Sequence, residues 1–173
     1  MRLLSVLALS LAFSGNLTAQ TKLERPGITN FTKVDAVVAC GGATDTAALE
    51  GLKNDGFKAV INLRMPNEPG ANIDANAARA KALGLNYLNV PFNATTPDAQ
   101  SVDAFLAAVA NKANQPVYIH CGSANRVGAV WLVKRVLQDG WTIEKATEEA
   151  KLIGLRSVPL EQFALTYISD HKK

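Results

Sequence analysis

The chain has 173 residues, which is enough for one domain with a sizeable hydrophobic core and short for two. Its formal net charge of +3 is small and its Lys and Arg residues are dispersed, so we expect no nucleic-acid partner. The two cysteines, Cys40 and Cys121, are too few for a disulfide-stabilised scaffold. These properties favour a single globular domain and leave the oligomeric state open.

The amino-terminal 19 residues have the pattern of a secretory signal peptide. Arg2 precedes an apolar run from 3 to 13, and small residues follow up to Ala19, the predicted cleavage site. The run is too short to span a bilayer of ordinary thickness. We therefore expect cleavage of residues 1–19 and an exported protein, periplasmic or secreted, with no stable membrane insertion.

The rest of the chain alternates between short apolar segments and segments of helical periodicity. Residues 20–30 are predicted as an extended lead-in and residues 31–173 as one domain. Apolar runs bounded by turn residues predict four strands: 34–39, 57–63, 85–92 and 117–119. Capping residues and glycines delimit six predicted helices: after Asp45 to Gly56, Asp74 to Gly84, from Thr96 onward, from about Arg126 to Gly140, 143–153 and 159–171. This order predicts an α/β fold, a mostly parallel central sheet with helices on both faces and its site at the carboxyl ends of the strands.

The segment after the fourth predicted strand combines a thiol with an arginine. Cys121 and Arg126 stand at the two ends of a loop of small residues that leads into a helix. The N–H groups of such a loop and the helix dipole can bind a phosphate-like anion, and they favour the thiolate form of the cysteine. The planar guanidinium can hold two oxygens of the same anion. The predicted phosphate-binding residues are Gly122, Ser123, Ala124, Asn125 and Arg126.

His120-Cys121 followed by Arg126 resembles the His-Cys-x5-Arg signature of the cysteine-dependent protein-tyrosine and dual-specificity phosphatases. Here only four residues separate the cysteine from the arginine, and Val127 stands where that family usually has Ser or Thr. The shorter loop is similar to the Cys-x-x-Gly-x-Arg of the bacterial beta-lactamase-hydrolase-like branch, with Ala124 in place of the glycine. The resemblance extends upstream through two further segments: 57–64 and 84–92. It implies a dual-specificity-phosphatase-like fold in which Cys121 attacks phosphorus and Arg126 holds the phosphate.

Enzymes of that family carry an acidic residue on the loop after the strand that corresponds to 85–92, where it protonates the leaving oxygen. This chain has Asn93 and Ala94 at that place, and Asp98 is the first acid that follows. Asp98 is therefore the candidate general acid, and a helix-capping role is the alternative explanation of its position. Without an acid, the enzyme would be slow on poor leaving groups or specialised for good ones.

Three further residues are expected near the nucleophile. The resemblance implies that His120 tunes the loop and the thiolate, while a satisfied histidine at a strand end is the alternative. Arg64 ends a buried strand, so it is either a second contact to the anion or the ion-pair partner of Glu68. Cys40 follows another strand of the presumed sheet, and we expect oxidation to join it reversibly to Cys121. The two histidines are far apart and no acidic cluster has ligand spacing, so we expect neither a metal nor another cofactor.

Together these observations predict an exported, single-domain, cysteine-dependent phosphatase that acts on a phosphoprotein or a small phosphate ester. Two alternatives remain open. A rhodanese-like sulfurtransferase also places a cysteine at the head of a loop of this size, although the two helices after Gly140 are more typical of phosphatases. A binding module that keeps the anion pocket without turnover is the second alternative, since the Ser or Thr after Arg126 and the loop acid are both missing from their usual places.

Overall fold

The structure, a computed structural model, describes residues 20–172. Its strands are β1 (Thr21–Lys22), β2 (Thr32–Lys33), β3 (Val38–Gly41), β4 (Ala59–Asn62), β5 (Asn86–Asn89) and β6 (Val117–His120). Its helices are α1 (Ala48–Asn54), α2 (Ile73–Ala82), α3 (Ala99–Ala110), α4 (Asn125–Leu137), α5 (Ile143–Ile153) and α6 (Val158–His171), with a short 3-10 helix at Lys112–Asn114. The six strands form one sheet in the order β1-β2-β3-β6-β4-β5.

Strand β6 lies in the interior of the sheet and runs parallel to both of its neighbours. Cys40 of β3 and Ile61 of β4 flank Ile119 of β6 in register, and β5 continues the parallel order beyond β4. All four residues of β6 are buried, as expected for a strand covered by helices on both faces. The carboxyl ends of β3, β6 and β4 therefore meet at one edge, and the predicted α/β fold with a mostly parallel sheet is confirmed.

Each face of the sheet has its own hydrophobic core. On one face, Ile119 packs with side chains of helices α3 to α6, among which Trp131 of α4 is fully buried. On the other face, Tyr118 packs with residues of α1 and α2. Because side chains alternate between the faces of a strand, His120 falls on the Tyr118 face and Cys121 on the Ile119 face.

The amino-terminal part of the domain differs from the sequence-based expectation. The single strand predicted at 34–39 is wrong, because residues 32–41 form an antiparallel hairpin of β2 and β3. Asp35 turns the chain: its Oδ1 accepts hydrogen bonds from the amides of Val37 and Val38, both at 2.9 Å. The lead-in at 20–30 also joins the sheet, through the pairing of β1 with β2.

The other predicted strands and helices are all present, with shifts at their ends. Helix α5 has the predicted bounds of 143–153, and α1 begins at Ala48 rather than directly after Asp45. No helix among residues 20–172 is long and apolar enough to cross a membrane. The predicted signal peptide lies outside the described residues, so export of the protein stays a prediction.

Helix α4 packs closely on α5 and on the connection that follows it, and Gly128 permits this approach. A Cβ atom at this position would lie 2.8 Å from the carbonyl oxygen of Ala150 and 2.8 Å from Cβ of Leu155. Ala150 and Leu155 are buried, and neither contact is with the end of a flexible side chain. The missing side chain of Gly128 therefore lets α5 lie directly against the helix that follows the cysteine loop.

We expect Gly128→Ala to lower the free energy of unfolding by about 2 kcal/mol, because the added methyl group overpacks this helix contact. Alanine is otherwise favoured over glycine inside a helix by about 1 kcal/mol. Gly51→Ala in α1 is the matched control, since its Cβ would meet only the flexible side chain of Arg25, at 3.0 Å. Urea unfolding of both variants tests the prediction, and equal stabilities would contradict it.

Candidate active site

Cys121 lies directly after the carboxyl end of β6. Its amide donates a hydrogen bond of 3.3 Å to the carbonyl oxygen of Gly41, which extends the pairing of β6 with β3. The side chain is almost entirely buried. Residues 121–126, called the anion loop below, connect β6 to α4. The thiol is thus fixed at the sheet edge where functional sites of this architecture occur.

Two carbonyl groups of the anion loop are tied to a neighbouring segment. Ala43 donates its amide to the Gly122 carbonyl at 2.9 Å, and Asn30 donates its side-chain amide to the Ser123 carbonyl at 3.1 Å. In a trans peptide the N–H points opposite to the C=O, so the amides of Ser123 and Ala124 face away from these partners. No hydrogen bond in the described part of the chain uses those two amides. They can therefore bind an anion together with the amino-terminal end of α4.

Ala124 adopts a backbone conformation that usually favours glycine. Its φ is +70°, in the left-handed region, where a residue with a Cβ is disfavoured by about 1 kcal/mol or more. The methyl group fits because a glycine lies against it: a Cβ atom at Gly154 would be 2.8 Å from Cβ of Ala124. The end of α5 therefore helps to keep the anion loop in this conformation.

The side chain of Asn125 anchors the anion loop to the connection between α5 and α6. Its Oδ1 accepts hydrogen bonds from the amides of Arg156 at 2.9 Å and Ser157 at 3.1 Å. Among the predicted phosphate-binding residues, Asn125 thus commits its side-chain oxygen to the protein. Any contact of Asn125 with an anion would use its N–H groups.

The guanidinium of Arg126 is held in one orientation by Glu68. Nη2 donates to Oε2 at 2.8 Å and Nη1 donates to Oε1, so the two side chains form a two-pronged ion pair. Nη1 also donates to the carbonyl oxygens of Leu63 at 3.3 Å and Phe92 at 3.2 Å. Within residues 20–172 no acceptor is found for Nε, and Nη2 lies beside Gly122. Nε and the second hydrogen of Nη2 can therefore hold two oxygens of an anion.

The ion pair changes the acidity of both partners. The hydrogen bond from Arg126 lowers the pKa of Glu68 to about 2, against the opposing effect of burial. For Arg126, burial opposes the charge, but hydrogen bonds with Glu68 and Cys121 outweigh it and raise the pKa. Glu68 and Arg126 are therefore both charged at neutral pH.

Arg64 supports the loop that carries Glu68. Its Nε donates to Oε2 of Glu68 at 3.1 Å, its Nη1 to the Gly70 carbonyl at 2.7 Å and its Nη2 to the Pro69 carbonyl at 2.6 Å. Of the two expectations for Arg64, the ion pair with Glu68 is the one observed. The contact of Glu68 with Arg126 was missed by sequence reasoning, because the two residues are 58 positions apart and no local pattern links them.

Asp98, the candidate general acid, caps helix α3. Its Oδ1 accepts from the Ser101 amide at 2.8 Å and its Oδ2 accepts from the Ser101 hydroxyl at 2.9 Å. The carboxylate is exposed and does not line the depression over the anion loop. The capping alternative accounts for all of these contacts, and none of them supports a catalytic role.

His120 is fully buried and stacks on Tyr118, with ring centroids 5.6 Å apart. Burial lowers the pKa of His120 to about 4, although backbone groups of Cys121 and Gly42 partly oppose this effect. The ring is therefore neutral at neutral pH. It does not contribute a positive charge that would stabilise a thiolate at Cys121.

Cys40, the expected redox partner, is buried in β3. Burial raises the pKa of Cys40 well above its ordinary value, so its thiol is protonated at neutral pH. Both cysteines are free, and Cys40 pairs with Ile119, two positions before Cys121. This register places the two Cα atoms about 8 Å apart, beyond the limit of about 7 Å for a disulfide. A reversible bridge would therefore require movement of the backbone.

A depression of about 460 Å³ lies over the anion loop. Its lining combines three residues of the loop with residues that follow β4 and β5: Ser123, Asn125, Arg126, Met65, Asn67, Glu68, Asn93, Ala94 and Thr95. The largest cavity, of about 750 Å³, lies instead along residues 22–31. It contains no part of the anion loop, so the smaller depression is the candidate active site.

Solved structures with the same fold are phosphatases. A putative phosphatase from Shewanella putrefaciens CN-32 is 23% identical, with 83% of this chain and 93% of that chain covered and a TM-score of 0.69. The catalytic core of the PP-IP phosphatase Siw14 from S. cerevisiae is 22% identical, with 82% and 87% covered and a TM-score of 0.68. TpbA from P. aeruginosa is 19% identical, with 91% and 94% covered and a TM-score of 0.67. The fold and the anion loop thus define the class of the cysteine-dependent phosphatases.

The sequence comparisons specify the family. Residues 16–164 match the family model PTP-NADK, described as a DSP-PTPase phosphatase fused to NAD+ kinase, and this chain belongs to that family. Beta-lactamase hydrolase-like proteins from two strains of Xylella fastidiosa are each 31% identical over 104 residues. Those matches cover 58% of this chain and only 23% of the relatives, so the chain corresponds to less than a quarter of their length. The resemblance recognised in the sequence is thereby confirmed.

We expect the stabilising effect of Glu68 to disappear at acid pH. Its pKa is lowered from the ordinary 4.5 to about 2, so its contribution is fully present above pH 4.5 and is lost as the pH falls through about 2. The stability difference between the wild type and Glu68→Gln should therefore close over this range, from at most about 3 kcal/mol. Urea unfolding between pH 7 and pH 2 measures it. Glu50→Gln, which removes an exposed partner of Arg79, is the control and should have a small effect throughout.

A second prediction concerns the contact between α5 and the anion loop. Gly154→Ala should lower the free energy of unfolding by about 2 kcal/mol or more, because the new Cβ would clash with Ala124 at a φ of +152°. Adding Ala124→Gly should recover part of this loss by removing the clashing methyl group. Gly70→Ala is the control, since it also has a positive φ but no atom within 4 Å of the new Cβ. Additive effects of Gly154→Ala and Ala124→Gly would show that the two positions are not coupled.

Proposed function

We propose that this chain hydrolyses phosphate monoesters through a phosphocysteine intermediate. The observation that carries the proposal is the convergence of three groups at one edge of the sheet: the Cys121 thiol, the amides of Ser123 and Ala124, and the remaining donors of Arg126. A phosphate bound by these donors would have its phosphorus next to the sulfur atom.

The proposed reaction has two steps. The Cys121 thiolate attacks phosphorus, and the bond from phosphorus to the leaving oxygen breaks. Arg126 and the loop amides bind the three other oxygens, where they stabilise the charge of the transition state. Water then attacks the phosphocysteine, which releases phosphate and regenerates the thiolate.

The orientation of Arg126 before substrate binding supports efficient catalysis. Glu68 and two backbone carbonyls hold the guanidinium through Nη1 and one hydrogen of Nη2, so the side chain does not have to be ordered when the phosphate arrives. Donors that are already in place cost no reorganisation during the reaction. Glu68 thus acts on the reaction through Arg126 and not on the substrate.

The substrate in this proposal is a phosphoprotein or a small phosphate ester. Among the structural relatives, Siw14 is described as a PP-IP phosphatase and TpbA has been crystallised with pTyr. Both descriptions support a phosphorylated substrate for this fold without selecting one for this chain. We also propose, from the pattern of residues 1–19, that the protein acts after export to the periplasm or the medium.

We expect Cys121→Ser to abolish the release of p-nitrophenol from p-nitrophenyl phosphate. Arg126→Lys should lower kcat/KM by about 100-fold or more, because lysine keeps the charge but loses the planar fork. The matched controls are Cys40→Ala, which removes the other cysteine, and Arg79→Lys, which changes an arginine on the exposed side of α2. Both controls should keep most of the wild-type turnover.

Two outcomes would contradict the proposed function. Wild-type turnover by Cys121→Ser would remove the cysteine from the mechanism. Sulfur transfer from thiosulfate without phosphate release would instead support the sulfurtransferase alternative, and binding of phosphate without any turnover would support the binding module. The assays require the mature protein under reducing conditions, because a reactive thiol oxidises readily.

A further inference from the structure

The wall of the depression above the anion loop is polar but carries almost no net charge. Five of its nine lining residues have amide or hydroxyl side chains: Asn67, Asn93, Thr95, Ser123 and Asn125. Its two charged side chains, Glu68 and Arg126, form an ion pair with each other. Among the described residues, no lysine and no aromatic ring lines it. The group attached to the phosphate therefore meets a neutral hydrogen-bonding surface.

The three asparagines of this wall have amide donors available for a ligand. Asn93 uses its Oδ1 to accept from the amides of Thr95 and Thr96, and Asn125 uses its Oδ1 in the anchor described above. In the part of the chain that the structure describes, Asn67 has no hydrogen-bond partner. The side-chain NH2 groups of all three can therefore donate to a carbonyl oxygen of a ligand.

The carboxylates nearest to the site are committed to other partners. Glu68 is ionised at neutral pH and bound to Arg126, so it has no proton to donate. Asp98 caps α3 through Ser101. Asp103, one turn further along α3, accepts a hydrogen bond from the hydroxyl of Tyr167. A leaving oxygen in this site must therefore depart without a proton from these side chains.

From these two properties of the site we infer that the preferred substrates are acyl phosphates, in which a neutral acyl group is joined to phosphate as a mixed anhydride. The inference rests on the proposed phosphatase function and names the substrate class of the same site. The carboxylate released from an acyl phosphate has a conjugate acid of pKa about 4. It therefore leaves as a stable anion without protonation.

The reaction balances without an acid from the protein. The Cys121 thiolate attacks phosphorus, the bond between phosphorus and the acyl oxygen breaks, and the carboxylate leaves with the electron pair of that bond. The donors of Asn67, Asn93 and Asn125 can hold the acyl carbonyl oxygen. Water then cleaves the phosphorus–sulfur bond, so one acyl phosphate and one water give one carboxylate and one dihydrogen phosphate, with the thiolate regenerated.

Other classes of phosphate compound fit the same surface less well. An alkyl phosphate must expel an alkoxide, whose conjugate acid has a pKa close to that of water at about 16. A phosphoanhydride has a good leaving group, but its second phosphoryl group adds negative charge where the wall offers no cation beyond Arg126. An aryl phosphate such as phosphotyrosine would meet no aromatic partner among the described lining residues.

The test compares four substrates at neutral pH: acetyl phosphate, p-nitrophenyl phosphate, glycerol 3-phosphate and inorganic pyrophosphate. Phosphate or nitrophenol release by Cys121→Ser is subtracted as the background. We expect kcat/KM for acetyl phosphate to exceed that for glycerol 3-phosphate by about 100-fold or more, since general acid catalysis is typically worth 10²- to 10⁴-fold. It should also exceed that for pyrophosphate by about tenfold, which corresponds to one moderate charge interaction.

A substitution on the wall tests the argument from charge separately. Asn67→Lys adds a cation to the wall and removes one amide donor. It should therefore raise kcat/KM for pyrophosphate relative to acetyl phosphate by about tenfold. Asn67→Gln is the matched control, because it keeps the amide and should leave the ratio close to that of the wild type.

The outcomes distinguish this inference from the proposed function. If p-nitrophenyl phosphate is turned over in a Cys121-dependent manner but acetyl phosphate has no advantage over glycerol 3-phosphate, the acyl phosphate inference is overturned and the phosphatase stands. A preference for pyrophosphate in the wild type would also overturn the inference. If none of the four substrates is turned over, the proposed function fails, and the inference fails with it.

Discussion

The ion pair between Arg126 and Glu68 connects the two loops on which the site depends. Arg126 begins α4 after β6, whereas Glu68 lies on the loop after β4. The pair also fixes the use of the guanidinium donors: Nη1 and one hydrogen of Nη2 face the protein, and Nε and the other hydrogen remain for an anion. Arg64 closes the loop of Glu68 from behind, so the position of one arginine depends on the other. The position of the anion-binding donors is therefore a tertiary property.

The anion loop is held from two sides by segments that are distant in sequence. Asn30 and Ala43 bind its carbonyls on one side, and the connection between α5 and α6 binds Asn125 on the other. The contact with Gly154 accommodates the strained backbone of Ala124. Because the loop is fixed at both sides, its amides are oriented before a ligand binds, which is the condition for electrostatic stabilisation of a transition state.

The chemistry of the site places most of its demand on the leaving group. A nucleophile and an anion-binding loop are present, but the carboxylates nearby are occupied in an ion pair, a helix cap and a tyrosine contact. The wall above the loop supplies neutral amides instead of charges or rings. A site of this composition binds one phosphate strongly and selects the attached group by its ability to leave unprotonated and by its hydrogen-bonding capacity.

The sequence alone determined the order of strands and helices, the parallel sheet and the cysteine loop, because apolar runs, caps and glycines are local signals. It also indicated that Cys121 and Arg126 belong to one site, since both lie on a single short loop. Only the tertiary structure decided the hairpin at β2 and β3, where the turn depends on a side-chain contact of Asp35. It also decided that Glu68 orients Arg126, because that contact joins residues far apart in sequence. Such long-range contacts depend on how the strands are ordered in the sheet, which no local pattern encodes.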